Sequence, residues 1–377
     1  MLFSAGIFIN SGGNVKKLIL IFFVIINTFI FSEEYVSGKI TAKLGSVKEN
    51  NLVTDMELTE ETEDIVVYEI KTGKDIVNVE SPVYSDKSLN INFKAGDRVI
   101  LMKDEYEDGR TTYFITDTDK RISYAALSLI FIIFTVAMAK IKGVKALFAL
   151  GVSVAAIFYF FLPLVLKGYS PIFLSVVTAL FSSIVTIYFI AGFSRKGINA
   201  VIGSVGGVIF SGILSAYFTN KMGLTGYSTV DAVGYVGILG NIKVKELISA
   251  GIILGSMGAV MDVAMSISSS LTELKEKNPN LLPKEIFTSG INIGRDIVGT
   301  MINTLILAYI GSSLFDILII SIHINELPVA RLFNFEFIAV EILKSFSGSI
   351  GILVAIPITA YLSSYMGTER NILDDKK

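Results

Sequence analysis

The sequence predicts an α-helical polytopic membrane protein with seven spans, a possible N-terminal signal-anchor and a small extracytoplasmic β domain. Three observations predict it. Of 377 residues, 52% are apolar and only 18% charged, and mean hydropathy is +0.65, the composition of a chain that lives largely in lipid. Residues 32–121 are rich in Asp, Glu and Lys, whereas most of the remainder is long apolar runs broken by short charged loops. Basic residues of those loops fall on alternate ends of the runs. The expected organisation is therefore 1–31 signal-anchor or signal peptide, 32–121 β domain, 122–364 multispan domain and 365–377 cytoplasmic tail.

Residue usage excludes several chemistries. Cysteine is absent and His323 is the single histidine, so neither disulfides, thiolate ligands nor a histidine cluster is available. Residues 32–120 carry roughly two acidic side chains for each basic one, a surface that argues against nucleic acid binding.

The first apolar run, LILIFFVIINTFIF (18–31), follows Lys16 and Lys17 and precedes SEEYVSG. Its length and basic flank fit an uncleaved anchor or a signal peptide, and both readings place the next segment outside the cytoplasm. There YVSGKIT, EDIVVYEI, KDIVNVE, LNINFKAGDRVILM and RTTYFIT alternate apolar and polar residues between Gly, Asp, Asn and Lys. Short alternating strands predict a small β-barrel or sandwich, with KAGDRV as a tight turn into a strand.

After Lys120 and Arg121, the runs 122–139, 146–166, 171–191, 200–218, 247–270, 298–321 and 347–364 each approach or exceed the length that crosses a hydrocarbon layer roughly 30 Å thick. Only helices satisfy their own backbone in lipid while remaining open-ended. KIKGVK (140–145), FSRKG (193–197), the stretch 275–295 and the tail with Arg370, Lys376 and Lys377 hold most of the basic residues, so these ends are expected to be cytoplasmic. Two outer segments, 227–240 and 332–346, are apolar enough to lie in the interface or to re-enter the membrane.

The fifth span contains GSMGAVMDVAMSIS (255–268), which places a carboxylate among apolar residues. Gly251, Gly255, Gly258, Asp262, Ser266 and Ser269 recur every three or four residues and share one helix face. The glycines allow close helix contact, a signal that is weak alone and stronger in line with Asp262. Asp262 lies about four residues, or roughly 6 Å, from the span midpoint. Facing lipid it costs roughly 2.5–3.5 kcal/mol, so a partner helix or a water-filled cavity is expected beside it.

In GRDIVGTMINT (294–304), Asp296, Thr300, Asn303 and Thr304 again follow helical spacing, with Arg295 adjacent and Gly299 in the same stretch. The two spans run in opposite directions, which puts Asn303 in the same half of the membrane as Asp262. Asp262, Ser266, Asn303 and Thr304 are expected to converge on a hard cation or a small polar solute, and Asp262 could couple transport to protons. The competing reading is a polar network that only fixes helix packing, with homodimerisation through Gly251 and Gly255.

Other polar residues are expected to be ordinary. Asp316 and Glu336 lie near span ends, Glu341 can pair with Lys344 three residues on, and His323 follows a span. Pro163 and Pro357 fall inside spans, and Gly203, Gly206, Gly207, Gly212, Gly348 and Gly351 offer close-packing surfaces. There is no phosphate-binding Gly-rich loop, no His-Glu-x-x-His and no Gly-x-Ser-x-Gly, so neither an enzyme nor a cofactor is expected.

The order of a signal-like helix, a β domain beginning YVSGKI, the stretch SPVYSDKSLNINFKAGDRVIL, a glycine-rich span, then GSMGAVMDVAMSISSSLTEL and GRDIVGTMINTLILAYIGSS resembles the YibE/F-like family of bacterial multipass membrane proteins. The resemblance implies the architecture and a bacterial cell-membrane location. It places emphasis on Gly255, Gly258, Asp262, Ser266, Gly294, Arg295, Asp296, Gly299 and Asn303, and it brings no catalytic mechanism. The expected function is a permease or channel-like transporter for a small ion or polar solute, with Arg295 and Asp296 at the cytoplasmic mouth. The alternative is a membrane assembly or accessory protein whose β domain binds an envelope partner.

Overall fold

A computed structural model of the chain describes residues 35–46, 62–105 apart from 74, 87 and 89, 111–227, 240, 242–322 and 328–365. The expected signal-like segment, most of the outer segment 227–240, His323 and the tail beyond 365 lie outside the described residues. The chain divides into two compact units, 1–138 and 139–377.

The first unit contains five strands, β1 (Tyr35–Ser46), β2 (Thr62–Thr72), β3 (Asp75–Tyr84), β4 (Arg98–Glu105) and β5 (Thr111–Thr118). They form one sheet in the order β3-β2-β1-β4-β5, antiparallel at every junction, and β3 packs against β5. That is a partly open five-stranded Greek-key barrel. Strand β1 is long enough to pair with β4 through residues 35–39 and with β2 through residues 39–46, and two register shifts, at 40–42 and 43–45, add twist along the stretch that pairs with β2.

Ile40, Ile70, Val79, Val99 and Leu101 fill the barrel, and Tyr68 meets Phe93 edge to face with centroids 5.7 Å apart. Gly38 is required there, because a Cβ would lie 2.5 Å from Ile70 Cγ2. The expected turn at KAGDRV is present: Gly96 has φ of 103°, the Asp97 carboxylate accepts from the Lys94 N–H at 2.7 Å, and β4 starts at Arg98.

The helices are α1 (Arg121–Leu166), α2 (Pro171–Ala191), α3 (Arg195–Lys221), α4 (Val244–Lys277), α5 (Pro283–Ser312), the short α6 (Leu314–Ile322) and α7 (Val329–Leu332), and α8 (Glu336–Tyr365). Six of them, α1 to α5 and α8, are long and apolar enough to cross a membrane. Within α1 the runs 122–139 and 146–166 are two helical segments that meet at a kink, because Lys140, with φ of 50° and ψ of −132°, is not helical. The second segment passes through a π-helical turn at Ile157–Phe161.

The helix that carries most of the expected span 298–321 begins earlier and ends sooner. Pro283 opens α5 at its first position, with the Glu285 carboxylate accepting from the Leu282 N–H at 2.8 Å, so the charged stretch 284–295 is helix rather than loop. The helix then breaks at Ser313. Of the segment 332–346, expected to lead into the last helix, residues 336–346 are the first turns of α8.

In the second unit α3, α4 and α8 pack on one another, α2 packs on α3 and α4, and α5 packs on α8 and α4. Val208, Ile253, Val260, Ile267, Leu271 and Ile352 form the centre. Where α3 crosses α8 the backbones touch: a Cβ on Gly207 would lie 2.5 Å from the Gly351 carbonyl oxygen, and a Cβ on Gly351 would lie 3.0 Å from that of Gly207. Glycine at both positions is the condition for this crossing.

Candidate functional site

Helix α4 has two faces of different chemistry. Ile253, Val260, Val263, Ile267 and Leu271 are buried in the bundle, while Gly251, Gly255, Gly258, Asp262 and Ser266 are exposed. Both sets recur at helical spacing, so burying the apolar side turns the polar side outward. Asp262 and Ser266 make no hydrogen bond or ion pair with the described residues.

Helix α5 follows the same rule more strongly. Its most apolar stretch is 11% buried, the least of the six candidate spans, and its buried residues are Ile286, Gly290, Gly294 and Leu305. Gly290 and Gly294 let α8 close in, since a Cβ on Gly290 would lie 2.8 Å from Ala360 Cβ and one on Gly294 would strike Ile356. Asn292, Arg295, Asp296, Gly299, Thr300, Asn303 and Thr304 are all exposed. The Thr300 and Thr304 hydroxyls donate to the carbonyls of Ile297 and Thr300, each at 2.8 Å, and Arg295 Nη1 donates to Asn292 Oδ1 at 3.4 Å. Asp296 and Asn303 have no partner among the described residues.

Two contacts fix how α4 and α5 lie. A Cβ on Gly290 would meet Leu271 at 2.8 Å, and one on Gly255 would meet the Tyr309 hydroxyl at 2.8 Å. The helices are therefore antiparallel neighbours, and interpolation between these contacts sets Asp262 level with about residues 299–302 at 1.5 Å per residue. Asn303 and Thr304 sit within a turn of that level. No hydrogen bond joins Asp262 or Ser266 to Asn303 or Thr304, and the four side chains do not close into a shell within one chain. They stand on its outer surface instead of facing an interior space, because the apolar sides of α4 and α5 do the packing. No group of three His, Cys, Asp or Glu able to hold a metal ion occurs among the described residues.

Glycines of the stripe serve different ends. Gly255 leaves room for Tyr309, whereas a Cβ on Gly251, Gly258 or Gly299 would meet nothing within 4 Å. The expected Glu341–Lys344 pair is present at 2.5 Å. Glu336 does more than its position at a span end suggested: its carboxylate accepts from the Thr225 N–H at 2.8 Å and the Gly226 N–H at 2.7 Å, tying the end of α3 to the start of α8.

Sequence reasoning missed Lys275. Expected among the basic residues of a loop, it is buried, and its ammonium donates to the carbonyls of Ser363 at 2.5 Å and Ser364 at 3.0 Å. It thereby caps the negative end of α8. The available signal was its spacing, four residues beyond Leu271 and eight beyond Ile267 on the buried face of α4. Nearby, the Ser268 hydroxyl donates to the Lys196 carbonyl at 2.8 Å, and Ser215 donates to Ser249 at 3.0 Å across α3 and α4. Such pairs hold close-packed helices where lipid supplies no hydrogen bonds.

No curated protein and no solved structure matches the chain. A model of the YibE/F-like protein family matches residues 127–369, which takes in α2 to α8 and most of α1 and leaves the five strands outside.

Proposed function

The chain belongs to the YibE/F-like protein family, and on that footing we propose that this membrane protein is a permease or channel-like transporter for a small ion or polar solute. The observation that carries the reading is Asp262: an exposed carboxylate midway along an apolar helix, without a partner among the described residues. Lipid contact there costs roughly 2.5–3.5 kcal/mol, and a water-lined path removes that cost while giving the charge a role. Asp262 binds a cation or proton. Ser266 one turn along α4, with Asn303 and Thr304 at a neighbouring level on α5, supplies neutral oxygens suited to a hard cation or to a hydroxyl-bearing solute. Basic residues at the α2–α3 turn and in the tail orient the β strands outside the cytoplasm and put Arg295 and Asp296 at the cytoplasmic mouth. No enzymatic step is involved.

Flux into vesicles reconstituted with the full chain, across protons, alkali and alkaline-earth cations, tests the reading. Asp262→Asn is expected to bring the transported ion's flux to the protein-free background while the protein inserts in normal amount. Flux equal to the parent's rejects the role of Asp262.

One observation favours a second reading, an accessory protein whose β unit takes an envelope partner. An open groove of about 590 Å³ lies where β3 faces β5, lined by Lys43, Asp64, Tyr68, Ser81, Asn92 and Thr116. Its size suits a bound segment. Absence of flux for every ion, with Asp262→Asn unchanged in the cell, supports that reading over transport.

A further inference from the structure

The outer side of α5 is the wrong surface for lipid. On α3 the exposed residues include Ile202, Ile209, Phe210, Ile213 and Tyr217, as a lipid-facing helix requires. On α5 they include a cation, an anion and an amide within three turns, and the helix is the least buried of the candidate spans.

The pattern of that surface is self-complementary. At about 100° per residue, Arg295 and Asp296 bound a sector, and Gly299, Asn303, Ile306 and Ile310 all fall inside it. Their spacing of 4, 3 and 4 residues is that of a helix–helix seam. A two-fold axis along the membrane normal sets two copies of α5 parallel, with equal residue numbers at equal depth, and exchanges the left flank for the right. Arg295 on one flank then meets Asp296 on the opposite flank of the second copy, and the reciprocal pair forms on the other side, as an isologous contact demands. Gly299 sits at the centre of the seam. A Cβ there would touch nothing within 4 Å among the described residues, so their packing does not call for glycine, whereas close approach of another helix does.

We propose that a second copy of this chain covers the outer side of α5, forming a two-fold dimer with two Arg295–Asp296 pairs, Gly299 at the closest approach and Asn303 against its equivalent. A dimer turns an exposed polar surface into an inner wall. The proposal does not rest on transport, since association is read with no solute present and its failure leaves the flux result untouched.

The chain contains no cysteine, so a single introduced thiol reports without background. Ile306→Cys and Ile310→Cys, each in the full chain in membranes, are expected to give a dimer-sized cross-link on oxidation, and Leu353→Cys, exposed on α8, is expected to give none. In the Ile306→Cys chain, Arg295→Asp and Asp296→Arg each lower the cross-linked fraction about tenfold by setting like charges opposite one another. Combining both in one chain restores it, and so does co-expressing the two single variants. Cross-linking no greater than Leu353→Cys, a cross-link to another protein, or a double variant no better than the singles overturns the proposal.

Discussion

Asp119 follows β5 and receives both Nε and Nη2 of Arg121, at 2.7 and 2.5 Å, with the Ser37 hydroxyl of β1 at 3.4 Å. The Arg121 guanidinium, donating to both oxygens, holds the Asp119 carboxyl below the usual carboxylate range. Because the folded value is depressed, the stabilisation is fully present above the unfolded value of about 3.9 and is lost as pH falls through the folded value. Asp119→Asn is therefore expected to lower stability by about 1–2 kcal/mol at pH 7. The deficit relative to the parent should shrink below about pH 4, as read by thermal melts of both proteins across that range. A deficit independent of pH contradicts the ion-pair account. Residues of this kind are poorly legible in sequence. The alternation of β5 predicts a strand, but nothing in TDTDKR says which acid takes the arginine. Lys275 escaped for the opposite reason, since loop charge statistics masked a helical spacing that pointed inward.

Glycine content marks α3, α4, α5 and α8 as close-packing helices, yet only contacts say which glycines are obligatory. At Gly207 an added methyl strikes the Gly351 carbonyl, a backbone atom that no rotamer change can move. Gly207→Ala should destabilise by about 1–3 kcal/mol through overpacking, enough to exceed a helix-propensity gain of about 1 kcal/mol. Gly258→Ala meets open space and should be neutral or stabilising by up to about 1 kcal/mol. Melting midpoints of the two variants in detergent decide it, and equal shifts would refute the crossing described. The apolar runs that become helices and the β strands were legible because apolar periodicity is a local signal. The true start of α5 was not, because its first turns are polar and only Pro283 and Glu285 signal a helix there. The two expected runs of α1 are separated as the charges at 140–145 suggested, by a kink at a single residue, Lys140.

At the scale of the molecule, the polar stripes on α4 and α5 were readable as stripes, and their relative depth followed from antiparallel helices joined by a short turn. Their direction was not readable. Spacing says that Asp262 and Ser266 share a face, but which face packs is decided by all the neighbours together, and here the apolar sides of both helices compete successfully for the bundle interior. The outward polar surface is what the transport and dimer readings share: each holds that something other than lipid lies against it. On the transport reading, that neighbour for α4 is water reaching Asp262. The most direct test introduces Ser266→Cys, one turn beyond Asp262, into the cysteine-free chain and measures labelling by a membrane-impermeant thiol reagent in intact membranes, which requires a hydrated thiolate. Labelling well above that of Phe210→Cys, exposed among apolar residues on α3, is the expected result. Equal, background labelling at the two positions would mean that the carboxylate borders no aqueous path, and would contradict the account.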